Sequence, residues 1–397
     1  MNMRRIYFFV CIIVLCCINS AQAHLPCPVN GRGVLQCDAE VKSSYKKGVS
    51  LHFDVNSREE SYAARMLTKS LQERGYVINA NSGDYSIKFL IDKRRYDAEA
   101  FAIIPEGNVI KIIGGDYRGL IYGALSLSED LRNEILLDNA VARSEKPKLM
   151  LRAVKYDLPW DTYRHSEALN LHDETCRDPK YWEAFLDMMA ENRLNALSLW
   201  NLHPYPFMII PKNYPEASPF TKEEFKEWQK LFQSIIGMAA ERAIETYLIP
   251  FNIFVTPEFS VAHNVAMDNL DHHFYVRGET AQIVKDYTRE CVTQVLEEYP
   301  DLTGFGLTLG EGMAGMTPQE REAWMTETII EGMRRANRPS KLVHRVPFSS
   351  TTESLGNTSV ETERITRASG KRIWALPKVL FLQTLNSIGH IPFPRPS

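Results

Sequence analysis

Positive charge is not in excess in this chain: 46 Lys and Arg stand against 49 Asp and Glu, for a net charge of −3. No basic tract or Lys/Arg-rich face stands out. That excludes the electrostatic signature of a nucleic-acid partner or an anionic membrane surface. Cysteine is sparse. Of seven in all, Cys11, Cys16 and Cys17 sit in an apolar leader, leaving Cys27, Cys37, Cys176 and Cys291. No CxxC or His-rich spacing occurs, so neither a metal site nor a cofactor is expected. The adjacent His272 and His273 do not converge on one ion without other ligands. Cys27 and Cys37 are near enough to pair across a small loop, which export permits; Cys176 and Cys291 read as buried single thiols. Beyond Ile18 no apolar run is long enough for a membrane span. Internal repeats and low-complexity segments are missing too.

What is present is ordinary globular material, 44% hydrophobic and 24% charged over 397 residues. That is room for about two to three domains. Arg4 and Arg5 precede the apolar run Ile6 to Ile18, and Ala21-Gln22-Ala23 follows. Residues 1–23 therefore read as a secretory signal cleaved after Ala23. Leu15 before Cys16 is too large for a lipobox. The mature protein is expected to be exported, to the periplasm or outside the cell.

Residues 24–147 read as a small α+β domain. Val49 to Val55 and Ser86 to Ile91 are strands. Phe101 to Ile104 and Val109 to Ile113 flank Pro105-Glu106-Gly107-Asn108, a hairpin signal. Glu59 to Arg74 has helical spacing and is closed by Gly75. Asp116 to Leu131 is a second helix whose Gly119 and Gly123 make a flat face for a sheet. Arg143 to Pro147 is polar and reads as a linker.

From residue 148 the rhythm becomes strand, loop, helix. Strands are expected at Leu151 to Asp157, Ala196 to Trp200, Glu245 to Phe251, Gly304 to Leu309 and Leu342 to Pro347. Helices are expected at Tyr181 to Asn192, Lys222 to Arg242, Thr280 to Tyr299 and Pro318 to Arg335. Five such steps imply a parallel sheet, and this length favours a (β/α)8 TIM-type barrel over residues 148–397. The barrel looks incomplete after strand five. About fifty residues remain, too few for three further units of roughly thirty residues. The tail from Gly370 loses the pattern, as a truncated or frameshifted chain would.

The most telling stretch is Leu302 to Met313, in which an apolar, glycine-spaced strand ends in Glu311 between two glycines. Barrels place catalytic groups at the C-terminal lip of parallel strands, and apolar strands rarely carry a charge without cause. The other strand ends supply Asp157, Trp160 and Asp161; Trp200, Asn201 and His203; Asn252, Thr256 and Glu258; and His344, Arg345 and Ser349. Aromatic rings beside carboxylates and amides suit a sugar, whose apolar face stacks while its hydroxyls take hydrogen bonds. Trp160 is the expected platform, with Asn201, His203 and Asn252 as polar contacts. Arg345 suits a substrate carboxylate. Each has a plainer reading: Glu311 as a helix cap or ion-pair partner of Arg345, Trp160 as rim packing, Asn201 and His203 as braces of a proline-rich loop.

The phrase IIGGDYRGLIYGALSLSEDL (Ile112 to Leu131) resembles the end of the small domain that precedes the barrel in several exo-glycosidase families. These include the α-glucuronidases of glycoside hydrolase family 67 and the β-hexosaminidases of family 20. The barrel segments NRLNALSLWNLH, IETYLIPFNIF, YPDLTGFGLTLGEGMAG and LVHRVPFS are more similar to the α-glucuronidases. The resemblance runs in order from Val49 to Ser350. It implies that Glu311 is the general acid protonating the leaving oxygen. Desolvation at an apolar strand end should raise a carboxyl pKa enough for that task. A second carboxylate, the base or nucleophile, would come from later strands and is not identified here.

Two departures matter. Leu307 and Thr308 stand where the α-glucuronidases have a lysine for the substrate carboxylate, leaving Arg345 as the uronate contact. Gly310 stands where hexosaminidases carry an aspartate, which argues against substrate-assisted cleavage. The expected function is exo-acting removal of a terminal sugar, a uronic acid among the candidates, from a polysaccharide or oligosaccharide. An α-galacturonidase, a β-hexosaminidase-like enzyme and a non-catalytic carbohydrate-binding remnant are the alternatives. The oligomeric state is not legible.

Overall fold

A computed structural model describes residues 47–79, 83–159, 173–266, 276–277, 279–309, 313, 315–336, 338–346, 364–365, 367–369 and 379–385. Residues 1–23, Cys27 and Cys37 lie outside them, as do Trp160, His272, His273, Glu311 and Ser349.

The first unit is a mixed sheet with two helices. Strands β1 (Gly48–His52), β2 (Val77–Ile78), β3 (Tyr85–Ile91), β4 (Phe101–Glu106), β5 (Val109–Gly114) and β6 (Arg143–Glu145) order as β2-β1-β3-β5-β4-β6. The hairpin is β4 against β5, with Glu106 opposite Val109. Helix α1 (Arg58–Glu73) starts at Ser57, whose side chain accepts from the Glu60 amide. It ends at Gly75, with φ +83, in the left-handed turn that glycine adopts without cost. Helix α2 (Tyr117–Arg132) starts at Asp116, which accepts from the Gly119 amide.

The small residues of α2 bring it onto the sheet. A Cβ on Gly119 would lie 2.2 Å from the Ala100 carbonyl oxygen, and one on Gly123 2.6 Å from Ile112 Cγ2. The expected linker at Arg143 is corrected: Arg143–Glu145 is an edge strand, with Ile103 opposite Arg143. Its polarity is met locally. Arg143 Nη2 lies 2.7 Å from Asp130 Oδ2, and Ser144 Oγ donates to the Phe101 carbonyl at 3.0 Å.

The second unit alternates strands and helices. The elements are β7 (Ala153–Asp157), α3 (Pro179–Glu191), β8 (Ala196–Asn201), α4 (Lys222–Glu241), β9 (Glu245–Pro250), β10 (Phe254–Val255), α5 (Pro257–His263), β11 (Val276–Arg277), α6 (Gln282–Glu298) and β12 (Gly304–Thr308). Then come α7 (Pro318–Met325), a π-helical turn over Thr326–Ile330, α8 (Glu331–Arg335), β13 (Ser340–Val346) and β14 (Val379–Leu385). Strands β7, β8, β9, β12, β13 and β14 form one parallel sheet in chain order. A (β/α) barrel and an open parallel sheet share that arrangement over this stretch.

The reading of the tail as patternless is also corrected. Val379–Leu385 lies in register beside β13, from Ser340 opposite Val379 to Val346 opposite Leu385. An apolar run of this length fits a strand flanked on both faces. On β7, Tyr156 meets the Trp182 ring of α3 at 4.6 Å between centroids. Trp182 is fully buried, a burial worth about 2–3 kcal/mol.

The small unit seals the N-terminal ends of the parallel strands. Glu99 accepts from Arg118 Nη1 and Arg152 Nη2 at 2.6 Å each, and from Asn195 Nδ2 at 2.8 Å. Arg118 also reaches Glu245 at 3.3 Å, which takes Lys341 Nζ at 2.6 Å. Burial pushes the Glu99 carboxyl up, but the bonds from Asn195, Arg152 and Arg118 together hold it below the ordinary carboxylate range. The opposite ends of the strands are left for a site.

Candidate functional site

A line of hydrogen bonds runs across the C-terminal ends of four parallel strands. The Leu158 amide after β7 donates to the Trp200 carbonyl at 3.0 Å, and the Phe251 amide after β9 donates to the Asn201 carbonyl at 3.1 Å. Asn201 Nδ2 donates to the Leu158 carbonyl at 2.8 Å, while its Oδ1 accepts from the His203 amide at 2.8 Å. Asn252 Nδ2 donates to the Thr308 carbonyl at 2.8 Å. Thr308 Oγ1 donates to the Pro250 carbonyl at 2.8 Å. Asn201, His203 and Asn252 thus share one rim, as their strand-end positions predict.

Their side chains face inward. Asn201, His203 and Asn252 are 1%, 2% and 3% exposed. In this geometry the two amides hold strand ends together, since a buried amide must find partners and does so on main-chain groups. His203 Nε2 lies 2.8 Å from the Tyr287 hydroxyl of α6. Burial pushes the imidazole down to about 3, so it is neutral at physiological pH. The neutral, enclosed imidazole ties its loop to α6 through Tyr287.

On the face away from the helices, β7 and β8 present a mixed cluster. Lys155 Nζ sits 4.4 Å above the Trp200 ring and 3.4 Å from Asp157 Oδ1. Trp200 Nε1 donates to Ser198 Oγ at 3.0 Å, and the ring meets Phe251 edge-on at 5.6 Å. Cation, carboxylate and indole lie together on a half-buried surface, a composition that can take a polar ring-shaped ligand. The sequence reading gave neither Lys155 nor Thr308 a place at the rim. The signal for Lys155 was there: it is two residues before Asp157, hence on the same face of the strand.

Other candidates fall elsewhere. Thr256 caps α5, accepting from the Phe259 amide at 3.1 Å, and its Oγ1 donates to the Ala217 carbonyl at 2.9 Å. Glu258 is exposed in the first turn of α5, where a carboxylate complements the helix dipole. His344 is buried on β13 with Nε2 3.2 Å from Glu322. The backbone of Arg345 lies beside Thr308, its ladder partner; its side chain, like Trp160 and Glu311, lies outside the described residues. Cys176 and Cys291 are buried thiols outside any disulfide. Among the described residues no three His, Cys, Asp or Glu gather to hold a metal ion, and no helix is long and apolar enough to cross a membrane.

No family model matches the sequence, and no curated protein matches it. The fold does find neighbours. A GH138 enzyme targeting pectin rhamnogalacturonan II superposes with TM-score 0.69 at 23% identity, over 85% of this chain and 48% of its own. The chain therefore spans about half the length of that enzyme. A β-hexosaminidase of Streptomyces plicatus matches with TM-score 0.54 at 12% identity, over 85% of this chain and 70% of its own. The GH20 β-N-acetylhexosaminidase of Streptomyces coelicolor A3(2) gives TM-score 0.52 at 14% identity, over 87% and 71%. The fold of this chain is one that glycoside hydrolases use.

Proposed function

We propose that this chain is an exported, exo-acting glycoside hydrolase that removes a terminal uronic acid from a plant polysaccharide or an oligosaccharide derived from it. The observation that carries this reading is the likeness to a GH138 enzyme targeting pectin rhamnogalacturonan II, over 85% of the chain. Glu311 follows β12 by three residues and is the proposed general acid, delivering its proton to the glycosidic oxygen as the bond to the anomeric carbon breaks. Trp160 is proposed to stack on the sugar ring and Arg345 to take the uronate carboxylate in a bidentate grip. Asn201, His203 and Asn252 shape the rim that holds these groups.

Two sugars compete within this reading. The α-glucuronidase resemblance favours glucuronic acid, and the pectin-directed neighbour favours galacturonic acid. The hexosaminidase reading is weaker, because Gly310 occupies the position of the aspartate that would orient an acetamido group. Aryl α- and β-glycosides of glucuronic acid, galacturonic acid and N-acetylglucosamine separate the three. Glu311→Gln is expected to slow hydrolysis by roughly 10²–10⁴-fold on a poor leaving group. Unchanged hydrolysis removes Glu311 from the mechanism. Export predicts a mature N-terminus at His24.

A further inference from the structure

Backbone pairing between β9 and β12 covers little of their length: Gly304 lies opposite Tyr247 and Phe305 opposite Leu248. Pro250, at the end of β9, has no N–H to offer a ladder. Two buried side chains bridge the stretch beyond. Thr308 Oγ1 reaches the Pro250 carbonyl and Asn252 Nδ2 reaches the Thr308 carbonyl, each at 2.8 Å. Ile249 packs over Gly306, where a Cβ would stand 2.7 Å from its Cγ1. On the other side Thr308 pairs through the backbone with Arg345. A donor on the Thr308 carbonyl fixes the plane of the peptide that links it to Leu309, itself 5% exposed. The direction in which the chain leaves β12 is thereby set, two residues before Glu311.

We infer that Asn252 and Thr308 are positioning residues for the proton donor. Asn252 acts on the Thr308 carbonyl, and Thr308 ties that strand end to β9. The inference rests on the reading of Glu311 as general acid. Its chemistry gives a specific expectation. A leaving group that departs without protonation does not need an aligned acid, whereas a basic one does. Misplacement by about 1 Å costs roughly 10²-fold.

Thr308→Val keeps shape and removes the hydroxyl donor; Asn252→Ala removes the amide; Thr308→Ser retains the hydroxyl. Rates are measured on phenyl and 2,4-dinitrophenyl glycosides of glucuronic and galacturonic acid. Thr308→Val and Asn252→Ala are expected to lose about 10–100-fold on the phenyl glycoside and under about 3-fold on the dinitrophenyl one, with Thr308→Ser close to the parent. Equal losses on both substrates, or none, overturn the inference. Glu311→Gln is run alongside: if it leaves the phenyl glycoside rate intact, the general-acid reading falls on its own account. Deuterium uptake across Gly304 to Met313 decides the anchoring without turnover. Faster uptake in Thr308→Val and Asn252→Ala, restored in Thr308→Ser, supports the inference; unchanged uptake overturns it.

Discussion

His203 and Tyr287 meet inside the protein, Nε2 to hydroxyl at 2.8 Å, joining the loop after β8 to α6. Tyr287 is fully buried and stacks near Phe259, with centroids 4.3 Å apart. The imidazole is held to about 3 by burial, against an ordinary 6.5. The folded state therefore binds fewer protons than the unfolded one between about pH 6.5 and 3. Stability is complete above that pH and falls as pH drops toward about 3, by up to several kcal/mol. Urea melts at pH 7.5 and 5 are expected to differ more for the parent than for His203→Phe, which has no proton to take up. Equal pH dependence in both would show that another group governs acid sensitivity.

Glu99 is the hinge of the charged cluster that binds the small unit to the parallel sheet. Replacing it by Gln leaves Arg118 and Arg152 with less than their due of negative charge, each being under one-fifth exposed. A cost of about 3 kcal/mol is expected, at the lower end for breaking a buried pair. Because the folded pKa of Glu99 is lowered, its contribution is present above the ordinary value of about 4.3 and lost as pH falls through the folded value. Denaturation midpoints at pH 7 and 3 test both statements; the variant should lie closer to the parent at the lower pH.

Two helix glycines should respond oppositely to alanine. Gly119 faces the Ala100 carbonyl at 2.2 Å from an added Cβ, while Gly237 in α4 has nothing within 4 Å. Gly119→Ala is expected to destabilise by about 1–3 kcal/mol through overpacking against backbone. Gly237→Ala is expected to stabilise by about 0.5–1 kcal/mol through helix propensity. Thermal melts of the two variants settle the matter; the same sign for both would contradict the packing described.

Burial also predicts thiol behaviour. Cys291 is enclosed and its thiol is pushed up by desolvation, so thiolate is scarce at neutral pH. Peptide mapping after iodoacetamide treatment should find Cys176 and Cys291 unmodified in the native protein and alkylated in urea. Rapid native alkylation would mean that the helices around them open.

Several elements could be read before any coordinates. Helix α2 begins at Asp116 because a short acidic side chain can cap it, and its glycines four apart meet the sheet as their size requires. The strand–helix alternation from Ala153 to Val346 follows from apolar runs of strand length between amphipathic stretches. Strand β6 escaped notice because Arg-Ser-Glu has no apolar face to betray it. Strand β14 was missed because a short apolar run has no periodicity to separate strand from helix.

The candidate rim divides along the same line. That Asn201, His203 and Asn252 belong to one end of the parallel sheet followed from sequence alone, since each stands at or within two residues of the end of a strand of the same direction. What they do there was decided only by tertiary structure. Asn201 finds Leu158, His203 finds Tyr287 and Asn252 finds Thr308, partners 43, 84 and 56 residues away. Local pattern reports which residues alternate, cap or turn, because those are interactions between near neighbours. Which distant carbonyl satisfies a buried amide depends on how the strands lie side by side, and no nearby residue carries that information.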